Sequence, residues 1–139
     1  MSQPTVVITH CEEFSSAHML RSSALSEEEN RALYGLCYNR HGHNYRVEAR
    51  VRGPVNPDTG MVMNLTDLMR IMREEIVAKV DHLDLNEDVD FLQGKIPTAE
   101  VLAVEFWERI QPHLASECVL ERVRVVESRD NYVDYNGPV

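Results

Sequence analysis

Long apolar runs are missing from this sequence, and so is the pattern of a secretory leader. The first residues, MSQPTVVITH, carry no basic cluster followed by a hydrophobic stretch, and no later segment is apolar enough to cross a bilayer. We therefore expect a cytoplasmic protein with no membrane partner. Repeats, low-complexity segments and linkers are also missing, which favours a single domain over residues 1–139.

Cysteine and positive charge are both scarce. The three cysteines, Cys11, Cys37 and Cys118, are an odd number at unrelated spacings, which does not fit a disulfide framework and favours free thiols. The 14 Lys and Arg residues are outnumbered by 23 Asp and Glu residues, for a net charge of −9. This charge gives no support to a nucleic-acid partner. A polyanionic ligand would need a local basic patch.

Residue alternation predicts four strands. Residues 5–16 are rich in β-branched and aromatic types, and residues 43–53 alternate between apolar and charged side chains. Residues 118–137 read as two further strands, joined by a tight turn near Asp130 and Asn131.

Capping residues and apolar stripes predict the helices. Ser26 and Glu29 form a capping box for a short helix that ends at Gly35, between the first two strands. Asn64 and Thr98 each cap an amphipathic helix. The main elements then follow the order ββααββ, which predicts an α+β fold: an antiparallel sheet with two helices on one face.

The stretch CYNRHGHNY places a thiol and two imidazoles within a few residues. His41 and His43 lie two apart on a strand, so both point to the face of Tyr45 and could bind one metal ion. His18, near the end of the first strand, is the best candidate for a third ligand. Three imidazoles would leave an open position, as in catalytic zinc sites. The alternative is that all three are ordinary polar residues at strand ends.

Cys37, Asp81 and His82 are candidates for proton transfer. Cys37 precedes His41 by four residues, so a cation nearby would favour its thiolate. It could serve as a base, a nucleophile or a fourth ligand, or be a small buried residue. Asp81 could fix the tautomer of the adjacent His82. Neighbouring Asp and His residues in a loop are, however, often only solvated or capping residues.

Two acidic residues, Glu127 and Glu100, are considered as candidate ligand-binding residues. Glu127 ends an apolar row that contains Val123 and Val125, where an unpaired charge would be costly, so it calls for a donor-rich ligand or a basic partner. Glu100 lies in the first turn of the second amphipathic helix, where the helix dipole alone explains it.

Seven motifs in sequence order resemble those of the 6-pyruvoyl-tetrahydropterin synthase family. They are FSSAHML, LSEEEN, HGHNYRV, GMVMNLTDL, DHLDLN, PTAE and VVESRDN, and they cover nearly the whole chain. The resemblance implies the T-fold, or tunnelling fold: a four-stranded antiparallel sheet with two helices. It also implies trimers that close a barrel, stacked in pairs as a homohexamer with sites at subunit interfaces.

The resemblance assigns functions to nine positions. It implies zinc (Zn2+) ligands at His18, His41 and His43, proton-transfer residues at Cys37, Asp81 and His82, and pterin-binding residues at Thr98, Glu100 and Glu127. The substrate implied is 7,8-dihydroneopterin triphosphate, a pterin triphosphate, and zinc would act on it as a Lewis acid and template.

Two departures from the family pattern leave alternatives open. The compact spacing CYNRH resembles 6-carboxytetrahydropterin synthases of the deazaguanine (queuosine) pathway, whereas LSEEEN and GMVMNLTDL resemble the pyruvoyl enzymes, which eliminate triphosphate. Ala99 stands where the family often has a hydroxyl residue. The pyruvoyl enzyme is our expectation, and the carboxy enzyme or a non-catalytic zinc-containing pterin-binding protein are the alternatives. Retention of Cys37, Asp81 and His82 together favours an enzyme.

Overall fold

This computed structural model describes residues 3–139. Within them, five strands form one mixed sheet. Its strands are β1 (Thr5–His18), β2 (His41–Pro54), β3 (Leu83–Asp84), β4 (Val119–Ser128) and β5 (Asn131–Tyr135). Hydrogen bonds order them β3-β1-β2-β4-β5. The two-residue β3 runs parallel to β1, and the other neighbours are antiparallel.

Three helical segments connect the strands. They comprise α1 (Glu27–Tyr34), then α2 (Leu65–Met72) continued by a π-helical turn (Arg73–Val77) and α3 (Ala78–Val80), and finally α4 (Ala99–Ile110). Short 3₁₀ turns follow α1 (Gly35–Tyr38), precede α4 (Asp90–Leu92) and follow it (Gln111–His113). No helix in the described residues combines the length and hydrophobicity needed to span a membrane.

The predicted helix starts are confirmed by their hydrogen bonds. The Ser26 hydroxyl accepts from the Glu29 amide at 3.1 Å, while the Glu29 carboxylate accepts from the Ser26 amide at 3.0 Å. Asn64 caps α2 and Thr98 caps α4 through equivalent bonds to backbone amides, at 2.9 and 3.2 Å. Each bond satisfies an amide that the first helical turn leaves without a partner.

The α+β prediction is confirmed, but the four-stranded antiparallel sheet in the order ββααββ is wrong in detail. The short helix α1 lies between the first two strands as predicted but is left out of that order, and β3 adds a fifth, parallel strand. Two residues are too few to show the alternation by which strands are predicted. β3 forms because His82, with φ 62°, turns the chain alongside β1 and donates its amide to the Ser15 carbonyl at 2.6 Å.

The core lies between the helices and one face of the sheet. The predicted row on β2 is fully buried: Tyr45, Val47, Ala49 and Val51. Tyr45 stacks on Phe14 of β1 at 4.9 Å, and Phe14 meets the edge of Phe106 of α4 at 5.8 Å. Burial of such side chains stabilises the fold by about 1.5–3 kcal/mol each. The opposite face of β2 carries charged residues such as Arg46 and Glu48.

We predict that Gly137→Ala destabilises the fold through the only tryptophan. Gly137 has φ 92°, and a Cβ there would lie 2.5 Å from Cζ2 of the buried Trp107. Gly60→Ala is the matched control, because Gly60 has φ 73° but no atom within 4 Å of the added Cβ. Overpacking should cost Gly137→Ala about 1–3 kcal/mol more than the control. Urea unfolding followed by tryptophan fluorescence measures this difference, and equal losses would contradict it.

Candidate metal centre and active site

The register of β1 against β2 brings three histidines together. His18 lies directly opposite His41, and His43 lies two residues further along the same face. Their ring centroids are 4.6 Å (His18–His41), 5.1 Å (His18–His43) and 5.0 Å (His41–His43) apart. One ligand nitrogen from each ring lies within 4.8 Å of the other two, so the cluster could hold a metal ion.

Hydrogen bonds fix the tautomers that metal binding requires. His18 donates from Nδ1 to the Pro97 carbonyl oxygen at 2.8 Å, and His41 donates from Nδ1 to the Asn39 carbonyl oxygen at 2.7 Å. Because a carbonyl only accepts, the neutral form of each ring carries its proton on Nδ1, which leaves the lone pair on Nε2.

The burial of the rings also indicates that their nitrogens are available to a metal ion. Nε2 of His41 and Nε2 of His43 are buried and have no hydrogen-bond partner within residues 3–139. Burial also lowers the pKa of His18 and of His43, because it disfavours the imidazolium cation. The rings of His18 and His43 are therefore neutral at pH 7. Buried nitrogens without partners, close to a third imidazole, fit a metal ion.

Tyr45 forms the floor of the cluster, a position that sequence analysis did not identify. Its hydroxyl lies 3.3 Å from Nδ1 and 3.4 Å from Nε2 of His18. Burial raises its pKa, so the hydroxyl stays protonated. The available signal was its place two residues after His43 on the same strand face.

Cys37 lies in the 3₁₀ turn just before β2, and its side chain is exposed. The Cys37 carbonyl accepts from the Leu20 amide at 2.8 Å, which ties this turn to the end of β1. Two residues later, Asn39 orients His41. The thiol is thus on the segment that leads into the histidine cluster.

Asp81 and His82 directly precede β3, so they lie on the side of β1 that is away from β2. His82 Nδ1 is 3.0 Å from Asp81 Oδ1, which also accepts from the Ser15 amide at 2.9 Å. The Ser15 amide, followed by the His82 side chain, holds the pKa of Asp81 below its usual value. An open cleft of about 480 Å³ has both His43 and His82 in its lining. The cleft therefore lies between one histidine of the cluster and the imidazole of His82.

The three remaining candidates are placed differently. Glu127 Oε1 lies 4.0 Å from His43 Nε2, beside the metal cluster. Thr98 follows Pro97, whose carbonyl orients His18, but the Thr98 hydroxyl is engaged as the α4 cap. Glu100 is exposed and lines a separate, largely apolar groove of about 540 Å³. The structure brings Glu127 to the histidines but does not bring Glu100 there.

An ion pair that sequence analysis missed joins the two sides of the cleft. Arg40, directly before His41, contacts the Asp84 carboxylate on β3. The pair connects the segment of Cys37 and His41 with the segment of His82. Only the parallel pairing of β3 with β1 brings Asp84 to this position, so nothing in the spacing along the chain indicated it.

Comparison with known proteins assigns this arrangement to a family. Residues 7–138 match the sequence profile of 6-pyruvoyl tetrahydropterin synthase. The chain belongs to the 6-pyruvoyl tetrahydropterin synthase family. It is 43% identical over 133 residues to the 6-pyruvoyl tetrahydrobiopterin synthase of Dictyostelium discoideum, covering 96% of this chain and 97% of that protein.

Structural comparison agrees with this family. The 6-pyruvoyl tetrahydropterin synthase of Caenorhabditis elegans superposes with a TM-score of 0.93 at 34% identity, covering 99% of both chains.

The sequence is also similar to a carboxy-type relative. A protein of Archaeoglobus fulgidus named as a putative 6-carboxy-5,6,7,8-tetrahydropterin synthase is 40% identical over 114 residues, 81% of this chain and 90% of that protein.

We predict that Asp81→Asn reduces stability at neutral pH and not in acid. Asparagine keeps an oxygen that accepts from the Ser15 amide but removes the charge. Folding lowers the pKa of Asp81, so the ionised carboxylate stabilises the protein at pH values above the pKa of the unfolded state, which is about 3.9. This stabilisation is lost as the pH falls through the pKa of the folded state.

At neutral pH, the free energy of unfolding of Asp81→Asn should be lower than that of wild type by less than about 1 kcal/mol, since the side chain of Asp81 is one-third exposed (33%). Urea unfolding of both proteins from neutral to acid pH measures it. A difference that stays constant over that range would show that the charge of Asp81 does not stabilise the fold.

Proposed function

We propose that this protein is a zinc-dependent 6-pyruvoyl-tetrahydropterin synthase. It converts 7,8-dihydroneopterin triphosphate to 6-pyruvoyl-tetrahydropterin with elimination of triphosphate, which is a carbon–oxygen lyase reaction. The observation that carries this proposal is the cluster of three histidines, one of which, His43, lines a cleft together with His82, in a chain of this family. Mere pterin binding requires no proton-transfer pair beside such a cluster.

Zinc is the metal that the donor set favours. His18, His41 and His43 would hold it through three imidazole nitrogens, which suit zinc and leave one position for a substrate oxygen. When bound, zinc would supply Lewis-acid chemistry, polarising the side-chain hydroxyls of the substrate and stabilising negative charge that develops as protons move.

Three residues of the chain would move and hold protons. Asp81 accepts from His82 Nδ1, which leaves Nε2 of His82 free to exchange a proton with substrate in the cleft. Cys37 would serve as a second acid–base group on the turn that leads to the metal ligands. The two groups lie on separate segments, as two proton transfers at different substrate atoms require.

Glu127 is proposed as the anchor of the pterin ring. A carboxylate at the end of an apolar row can accept two hydrogen bonds from the guanidine-like edge of a pterin. Its place 4.0 Å from His43 would set the ring beside the metal. Thr98 and Glu100 are proposed as further residues of the pterin pocket.

The position of Glu100 supports an oligomer. Glu100 lines a groove apart from the histidine cleft, so it would reach a pterin only where two subunits meet. The sheet also ends in β3 and β5, whose outer edges can pair with another chain. We propose a homohexamer, built as a dimer of trimers, with shared sites.

The carboxy-type enzyme is the main alternative. Its supporting observations are the compact CYNRH spacing and the 40% identity to the Archaeoglobus fulgidus protein. Incubation of the protein with 7,8-dihydroneopterin triphosphate, followed by determination of the product mass, separates the three possibilities. A carboxy product would support the alternative, and tight pterin binding without any turnover would support a non-catalytic binder.

We predict that the purified protein carries about one zinc per chain and that His41→Ala and His43→Ala lose it. His113→Ala is the control, because His113 is a surface residue that contacts Glu75 outside the cluster. Metal analysis of the variants measures the loss. If both cluster variants keep full zinc occupancy, the metal lies elsewhere.

We predict that Cys37→Ala and Glu127→Ala fail in different ways. Loss of an acid–base group should reduce turnover about 10²-fold or more in Cys37→Ala, with zinc and pterin binding nearly intact. Loss of the carboxylate in Glu127→Ala should weaken pterin binding by about 2–5 kcal/mol with zinc retained.

Turnover, zinc content and pterin affinity are measured together, with Cys11→Ala as the thiol control. Loss of zinc in Cys37→Ala would make the thiol a metal ligand instead. Normal turnover in that variant would leave His82 as the leading base.

A further inference from the structure

Two arginines pack against the aromatic ring that follows Cys37. The guanidinium carbon of Arg21 lies 4.1 Å from the ring centroid of Tyr38, and that of Arg31 lies 4.5 Å from the same centroid. Both guanidinium groups therefore lie within cation–π distance of the same ring. Tyr38 is consequently buried at 8% exposure, although both arginines are exposed.

The arginine pair borders the active-site segments described above. Arg21 follows His18 by three residues, and its Nε donates to the Tyr38 carbonyl at 3.1 Å. The neighbouring Leu20 amide bonds to the Cys37 carbonyl at 2.8 Å, so the chain after β1 runs beside the Cys37 turn. Arg31 approaches the same ring from α1.

Both guanidinium groups have donors to offer. Within residues 3–139, the structure gives the two terminal nitrogens of Arg21 no carboxylate partner. Arg31 contacts Glu27 at 3.1 Å, but these side chains are 57% and 70% exposed. Such exposed ion pairs are weak and screened by salt, so a more highly charged ligand can displace Glu27.

We propose that Arg21 and Arg31 form a polyphosphate-binding site that holds the triphosphate of the substrate. Guanidinium forks bind phosphate oxygens in a bidentate manner, and stacking on Tyr38 fixes their planes before the ligand arrives. In a chain of net charge −9, a polyanion is repelled unless local positive charge is available. This assignment rests on the proposed function, because it gives the site a triphosphate to hold.

Inorganic tripolyphosphate is the direct probe, titrated calorimetrically into the full-length protein. We expect R21Q and R31Q each to weaken its binding about tenfold or more. The matched control is R70Q, since Arg70 is 56% exposed and pairs with helix carboxylates, as Arg31 does. R70Q should stay within about twofold of wild type. E27Q should act in the opposite direction and tighten binding, because it removes the anion that competes for Arg31.

A second set of binding measurements tests whether the site holds the triphosphate of the substrate. R21Q and R31Q should weaken binding of dihydroneopterin triphosphate but leave binding of neopterin, which lacks phosphate, unchanged. R21K and R31K keep the charge without the planar fork, so they should fall between wild type and the glutamine variants, and they serve if a glutamine variant does not fold.

Three results would overturn this assignment: no tripolyphosphate binding by wild type, wild-type affinity in R21Q and R31Q, or equal weakening in R70Q. Turnover is not involved in this titration. Arginine-dependent tripolyphosphate binding without conversion of dihydroneopterin triphosphate would therefore refute the proposed function and leave the anion site in place.

Discussion

The antiparallel register between β1 and β2 is the constraint on which the rest of the molecule depends. It pairs 14 residues on each strand, from Thr5 opposite Pro54 to His18 opposite His41. Because side chains alternate between faces, a slip of one residue would move His41 and His43 to the other side of the sheet. The same slip would expose Tyr45 and Val47, which are fully buried. The packing of the core therefore enforces the geometry of the candidate metal ligands.

The end of β1 also collects the segments that complete the site. Ser15 bonds to Asp81 through its amide and to the His82 amide through its carbonyl, His18 bonds to Pro97, and Leu20 bonds to Cys37. These partners come from three parts of the chain that are far apart in sequence. Residues 15–20 thus act as the common support for the candidate metal ligands and the proposed proton-transfer groups.

The histidine cluster is where stability and function conflict. A buried polar atom without a partner costs about 1–3 kcal/mol, and Nε2 of both His41 and His43 is in that situation within the described residues. Apolar residues at these strand positions would extend the core without that cost. Local violations of this kind are expected at functional sites, and a bound cation would relieve this one.

The sequence by itself determined four of the five strands, the helix caps and the set of candidate ligands, because these depend on residue periodicity and on hydrogen bonds between near neighbours. Ser26 with Glu29, the buried face of Tyr45 and the shared face of His41 and His43 all follow from such local rules.

Only the tertiary structure decided which distant groups meet. The parallel strand β3, the Arg40–Asp84 contact and the stacking of Arg21 and Arg31 on Tyr38 carry no periodic signal in the sequence. They depend on how separate segments pack against the end of β1, and such long-range pairings are set by the balance of the whole core rather than by neighbours along the chain.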